Sequence, residues 1–161
     1  MKAQTSKPVV LHDGEGDATW FIGTLMTRKA GATDGVGGVA FLDQLAPAGF
    51  GPPLHVHHRE DEGFYILEGQ VDFVCDGQTF HLSPGSWVFL PRDLAHAYKV
   101  RGAQPARMLT FTFPAGFEGF VKEVGSPAPR RTLPPEEAPD VARIAAVGAK
   151  YGMEILGPPP D

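Results

Sequence analysis

The chain has 161 residues, 42% of them hydrophobic, and a net charge of −5. That length and apolar content suit one domain with a real core and exclude a disordered chain. With no basic run beyond Arg130-Arg131, the acidic balance argues against a nucleic-acid partner. Cys75 is the single cysteine, so no intrachain disulfide forms, which suits a reducing compartment. The apolar run after Lys2 and Lys7 is only Val9-Val10-Leu11, too short for a signal peptide. No stretch reaches the length of a membrane span. A cytoplasmic protein with no membrane partner is the expectation.

The 20 glycines and 16 prolines point to many tight turns between short strands. In chain order, residues 1–17 read as an N-terminal arm that ends in a turn cluster. Ala18 to Thr27 is rich in β formers and reads as a single strand. After a loop at Gly31 to Gly35, Val36 to Leu45 reads as the next strand. Further strands are expected through His55 and His57, along the apolar run that Glu62 opens and Leu67 ends, and at Gln70–Cys75, Gln78–Leu82, Trp87–Leu90, Ala95–Val100 and Arg107–Phe113. Asp76-Gly77 is a hairpin signal. Short strands with a turn every eight to twelve residues argue for an antiparallel β-barrel or sandwich over 18–113.

After Pro114 the period changes. Phe117, Phe120, Val121 and Val124 form a helical stripe that Gly125 would end. Ser126 to Pro139 is a proline-rich connector. Asp140 is placed to cap a second helix with Val141, Ile144, Ala145 and Gly148 on one face and Gly152 beyond its end. Residues 114–161 are expected as a helical extension packed on the outside of the barrel, with a frayed GPPPD tail.

The chemistry concentrates between Gly49 and Gly69, in GFGPPLHVHHREDEGFYILEG. His55 and His57 are two apart, so on a strand both imidazoles face one side. Glu62 follows a polar kink, and a turn there would bring its carboxylate back to the two rings. Imidazole plus carboxylate suits a divalent first-row metal, and His96 is the candidate fourth ligand. His12, His58 and His81 read as surface histidines, and Glu60 and Asp61 as solvated turn residues. Cys75 shares a strand face with Val71 and Phe73 and reads as a small core residue. By parity, Phe64 and Ile66 share the face of Glu62, and Tyr98 that of His96. Phe41 and Phe89 are added as neighbours in an apolar substrate pocket.

These spacings resemble the two motifs of the cupin family. Gly49, His55, His57, Glu62 and Gly69 match the first motif, and Gly85, Pro91 and His96 match the second. The second departs at Asp93, where the family usually has Gly, and at Val100, where it often has Asn. Asp93 is a mild change, because Asp tolerates left-handed turns. The phrase GPPLHVHHREDEGFYILEG and the later GFEGF resemble quercetin dioxygenase-like single-domain cupins. The resemblance implies an all-β jelly-roll barrel of two antiparallel sheets with one or two short C-terminal helices. It implies one divalent transition metal (Fe, Mn, Ni, Co, Cu or Zn) held by His55, His57, Glu62 and His96. The implied activity is a metal-dependent dioxygenase, with Glu62 also acting as the catalytic base toward a small aromatic or enol-bearing substrate and O2. A metal-dependent isomerase or hydrolase acting on a small polar substrate, or a non-catalytic binding cupin, are the alternatives. A homodimer is also expected, formed by pairing the strand at Ala18–Thr27 with a neighbour's sheet.

Overall fold

The computed structural model describes residues 7–34 and 38–161. The arm is therefore described only from Lys7, and the expected strand start at Val36 lies outside the described residues. The strands are β1 (Asp17–Phe21), β2 (Thr24–Ala30), β3 (Ala40–Ala46), β4 (Leu54–His57), β5 (Asp61–Glu68) and β6 (Gln70–Cys75). They continue as β7 (Gln78–Leu82), β8 (Trp87–Leu90), β9 (His96–Arg101) and β10 (Ala106–Phe113). Helix α1 (Phe117–Val124), β11 (Ser126–Pro127), α2 (Val141–Lys150) and β12 (Met153–Gly157) complete the described chain.

Two antiparallel sheets face each other, in the orders β11-β1-β2-β3-β10-β5-β8 and β12-β4-β9-β6-β7. This is the expected all-β jelly roll with two helices. Strands bury alternate residues, as a two-layer sheet demands. In β10 the pattern is perfect, with Ala106, Met108, Thr110 and Thr112 buried. Gly49, Gly69 and Gly85 all take positive φ, and Asp93 joins them at φ 65°. The departure from the family motif at Asp93 therefore keeps the motif's backbone. Among the described residues, no helix is long and apolar enough to cross a membrane.

The expected strand Ala18–Thr27 is in fact a hairpin. Phe21 pairs with Thr24 across Ile22-Gly23, whose φ values are 47° and 78°. Two consecutive positive φ angles define a type I′ turn, which normally takes Asn-Gly. The outer edge of β1 is paired with β11 at Thr19 and Trp20. The edge expected to seek a second chain is thus partly covered from within.

The extension also differs from its expectation. Asp140 caps α2, its side chain accepting from the Arg143 backbone N–H at 3.0 Å. Yet the helices do not sit on the outside of the sheets. Phe117, Phe120 and Ile144 line the same cavity as His55, Glu62 and His96, so α1 and α2 form part of the cavity wall. They bury Phe120 and Val121 of α1 and Ile144 and Val147 of α2 against Phe21, Met26, Leu42 and Met153. The tail is not frayed either. β12 pairs with β4, Ile155 opposite His55 and Met153 opposite His57. Beyond it, Pro158 accepts from the Leu54 backbone N–H at 3.3 Å, and Arg101 donates to the Asp161 backbone carbonyl at 3.0 Å. The extension gives one strand to each sheet.

Candidate metal centre

Strands β4 and β9 of one sheet place His55 opposite His96 in register. His57 follows on the same face of β4. Glu62 comes from β5 of the facing sheet, where it pairs with Thr112 and Leu90. Possible ligand atoms of His55, His57, Glu62 and His96 all lie within 4.8 Å of one another. Glu62 Oε2 is 3.1 Å from His96 Nε2 and 3.6 Å from His57 Nε2. All four side chains are buried.

The hydrogen bonds around the rings decide which nitrogen faces inward. His55 donates Nδ1–H to the Pro53 carbonyl at 2.7 Å, and His96 donates to the Leu94 carbonyl at 2.9 Å. His57 donates Nδ1–H to Glu60 Oε1 at 2.8 Å. These oxygens accept, so a neutral ring keeps its proton on Nδ1 and its lone pair on Nε2. His96 Nε2 also faces the acceptor oxygen Glu62 Oε2 at 3.1 Å, a lone-pair contact that a cation between them would relieve. His57 Nε2 has no hydrogen-bond partner although it is buried. Three Nε2 lone pairs and a carboxylate converging on one point suit a divalent cation.

Electrostatics separate the rings. Burial and the neighbouring His96 and His57 push the His55 imidazole down to about 3, so it stays neutral and available as a ligand. Burial also pulls His57 down, but Glu62 and Glu60 outweigh it, and its pKa lies above the usual imidazole value. Desolvation alone would raise the Glu62 carboxyl. The surrounding His57, His96 and His55 reverse that, and its pKa is lowered. Glu62 is held ionised by the rings it faces.

The expected pocket residues separate into two groups. Phe64 and Tyr98 line the cavity beside the cluster. Ile66 points inward but sits deeper, fully buried among Val71, Phe73, Val100 and Met108. Phe41 and Phe89 point the other way. Phe41 pairs with Phe111, which pairs with Gly63, which pairs with Phe89. Paired residues share a face, and this row is on the outer one. Phe89 is accordingly 49% exposed. Gly63 leaves room in that row for the Trp87 ring, which a Cβ there would displace.

Three features of the site escaped the sequence reading. Glu60 is no solvated turn residue; it is 4% exposed and holds His57. Its spacing, three after His57, was the available signal. Gln44 and Thr110, from β3 and β10, bring polar side chains into the cavity wall. Phe117 of α1 puts its ring edge-on to His57, with centroids 5.7 Å apart. Of the set-aside histidines, His58 is exposed and bonds Asp93 at 2.6 Å. His81 faces Asp72 in register and bonds it at 2.7 Å. Asp61 pairs with Arg92, which holds its carboxyl down at about 2.

The Cupin domain family model matches residues 41–112, a span that contains every residue of the cluster. Quercetin 2,3-dioxygenase of Bacillus subtilis is 30% identical over 129 residues, 80% of this chain and 38% of that protein. The chain thus spans well under half the length of that relative. Polyketide synthase CurC of Streptomyces cyaneus is 30% identical over 107 residues, 66% of this chain and 67% of that protein. Among solved structures, the polyketide cyclase RemF of Streptomyces resistomycificus superposes with a TM-score of 0.57 at 21% identity, covering 66% of this chain and 79% of that one. With the jelly-roll topology and the His/Glu cluster placed between its two sheets, these matches make the chain a member of the cupin family.

Proposed function

We propose that this cupin is a metal-dependent dioxygenase acting on a small enol-bearing substrate. The observation that carries the reading is the position of Glu62. Its carboxylate stands among the imidazoles and on the wall of an apolar cavity lined by Phe50, Phe64, Phe117 and Ile144. A divalent first-row metal held by His55, His57, Glu62 and His96 would supply Lewis acidity and, where redox-active, an electron path to dioxygen. Glu62 takes the enol hydroxyl proton, which needs a carboxylate that is ionised before substrate arrives. The apolar walls and the helical cover keep water from the reacting centre.

Cavity size narrows the substrate. The free volume beside the cluster is about 50 Å³, against roughly 300–1,000 Å³ for pockets that hold drug-sized ligands. A ligand of a few heavy atoms fits this closed form, whereas a flavonol needs α1 and α2 to move. Similarity to quercetin 2,3-dioxygenase supports the reaction class more than the substrate. The test is oxygen uptake by the metal-loaded protein with acetylacetone, a small enol, and with quercetin. Uptake with the small enol, lost by about a hundredfold in Glu62→Gln with metal retained, supports the reading. No uptake with either substrate overturns it.

Gln44 and Thr110 favour a second reading. Both are polar and both line the cavity. A polar substrate could be held there for isomerisation or hydrolysis with the metal as Lewis acid and no dioxygen. Turnover of such a substrate under strict anaerobiosis would select this reading.

A further inference from the structure

The buried polar residues of the cavity form a directed chain. Thr110 donates its hydroxyl to Gln44 Oε1 at 3.1 Å. Gln44 donates Nε2–H to the Tyr98 phenol oxygen at 2.6 Å. The three come from β10, β3 and β9, and each is 5% exposed or less. A hydroxyl that accepts in this way still has its own proton to place. Among the described residues no protein acceptor receives it: the Tyr98 phenol oxygen has one hydrogen bond, and there it is the acceptor. Tyr98 lines the same cavity as His55, Glu62 and His96, and stands two residues from His96 on one strand face.

A phenol buried in an apolar wall, with its oxygen already satisfied, is costly unless its proton finds an acceptor. Phe64, Phe73 and Phe50 pack around the ring at centroid distances of 5.7, 5.3 and 5.9 Å. They fix its plane and therefore the hydroxyl's position. The remaining acceptor is one the ligand brings. We propose that Tyr98 is a substrate-recognition residue that donates its hydroxyl proton to a carbonyl or enolate oxygen of a ligand bound at the His/Glu cluster, and that Thr110 and Gln44 set the direction of that donation. The ligand class is a small molecule with two oxygens, one for the metal and one for Tyr98. This rests on the metal-site reading above, but not on the use of dioxygen.

The chain of donors distinguishes ligands by chemistry. Imidazole would reach the cluster through nitrogen and offers Tyr98 no oxygen. Acetylacetone, as its enolate, offers two oxygens. Binding of each is measured by anaerobic calorimetry on the metal-loaded protein, so that no turnover is needed. Metal content is checked by elemental analysis in every variant. Tyr98→Phe is expected to weaken acetylacetone about three- to tenfold, the range of one lost hydrogen bond, and to leave imidazole unchanged. Thr110→Val removes the group that orients the Gln44 amide and is expected to act in the same selective sense, more weakly. It carries the test if the Phe variant loses its metal.

Three results overturn the proposal. In the first, acetylacetone binding is unchanged in Tyr98→Phe, which means the hydroxyl makes no bond to the ligand. In the second, both ligands weaken equally, which means Tyr98 acts through packing. In the third, the metal-loaded parent binds imidazole but not acetylacetone. The dioxygenase reading fails separately, when the parent binds acetylacetone selectively through Tyr98 and consumes no oxygen.

Discussion

His57 and Glu60 form a buried pair three residues apart, with Nδ1 and Oε1 at 2.8 Å and both side chains nearly inaccessible to water. The pair spans the end of β4 and the turn that leads into β5. Asp93 donates its backbone N–H to the His57 carbonyl at 2.8 Å, and His58 donates its own to Gly152 at 2.8 Å. Arg59 donates to the Lys150 carbonyl at the end of α2, also at 2.8 Å. Helical cover and metal strand are therefore joined at this turn. The carboxylate of Glu60 fixes the ring of His57, keeps its proton on Nδ1 and makes Nε2 a stronger donor to a metal.

Loss of this pair is expected to weaken metal binding about 10- to 100-fold, the usual effect of removing a partner that orients a ligand. Glu60→Ala is the test, read by competition with a metallochromic chelator. The spectrum of the Co2+-loaded protein should also change, because a reoriented imidazole alters the ligand field. An unchanged affinity and spectrum would make Glu60 a bystander.

The sequence disclosed the cluster and hid its support. His55, His57, Glu62 and His96 are legible because the spacing along a strand fixes which side chains share a face. Parity within one strand says nothing of the phase between strands. That is why Phe64 and Tyr98 line the cavity while Phe41 and Phe89, chosen without a register, lie on the outer face. Glu60 was lost because a carboxylate in a run of charged residues reads the same whether it is solvated or bonded to a buried ring. The β1–β2 hairpin was hidden by Ile22, a β-branched residue that rarely takes a positive φ, standing where Asn would have announced the turn. In β12 the alternation of Met153, Ile155 and Gly157 with Glu154 and Leu156 spans only five residues. Next to the terminal prolines it reads as tail, and only its pairing with β4 gives it order.

Acidification should separate the histidines. Burial and two neighbouring rings hold His55 at about 3, so it binds no proton across the neutral and mildly acidic range. His57, raised by Glu62 and Glu60 over the cost of burial, takes its proton at higher pH than a free imidazole. Its folded pKa is above the unfolded value, so it stabilises the metal-free protein below about pH 6.5 and loses that contribution as pH rises through the folded pKa. His55 has the opposite sign: its contribution is complete above about pH 6.5 and is lost as pH falls toward its folded pKa. Nitrogen-detected NMR of the metal-free protein should show His55 still neutral near pH 5 and His57 already protonated there. A His55 that titrates near the ordinary imidazole value would contradict the packed cluster.

The helical cover should be costly to weaken. Phe120 is 1% exposed and meets Phe21, Phe117 and Tyr151 at ring distances of 5.4, 5.9 and 5.9 Å. Phe120→Ala leaves a void that the surrounding helices and strands can only partly collapse into. The expected loss is about 3–5 kcal/mol in urea denaturation. A loss below about 1 kcal/mol would mean that α1 does not form that part of the cavity wall in solution.

His55, His57, Glu62 and His96 are expected to hold one metal ion between the two sheets. Elemental analysis of the purified protein and its single alanine variants tests it most directly. One divalent transition metal per chain is expected in the parent, and its loss in His55→Ala and in His96→Ala while both variants stay folded. Full metal retained in both of those variants would contradict it.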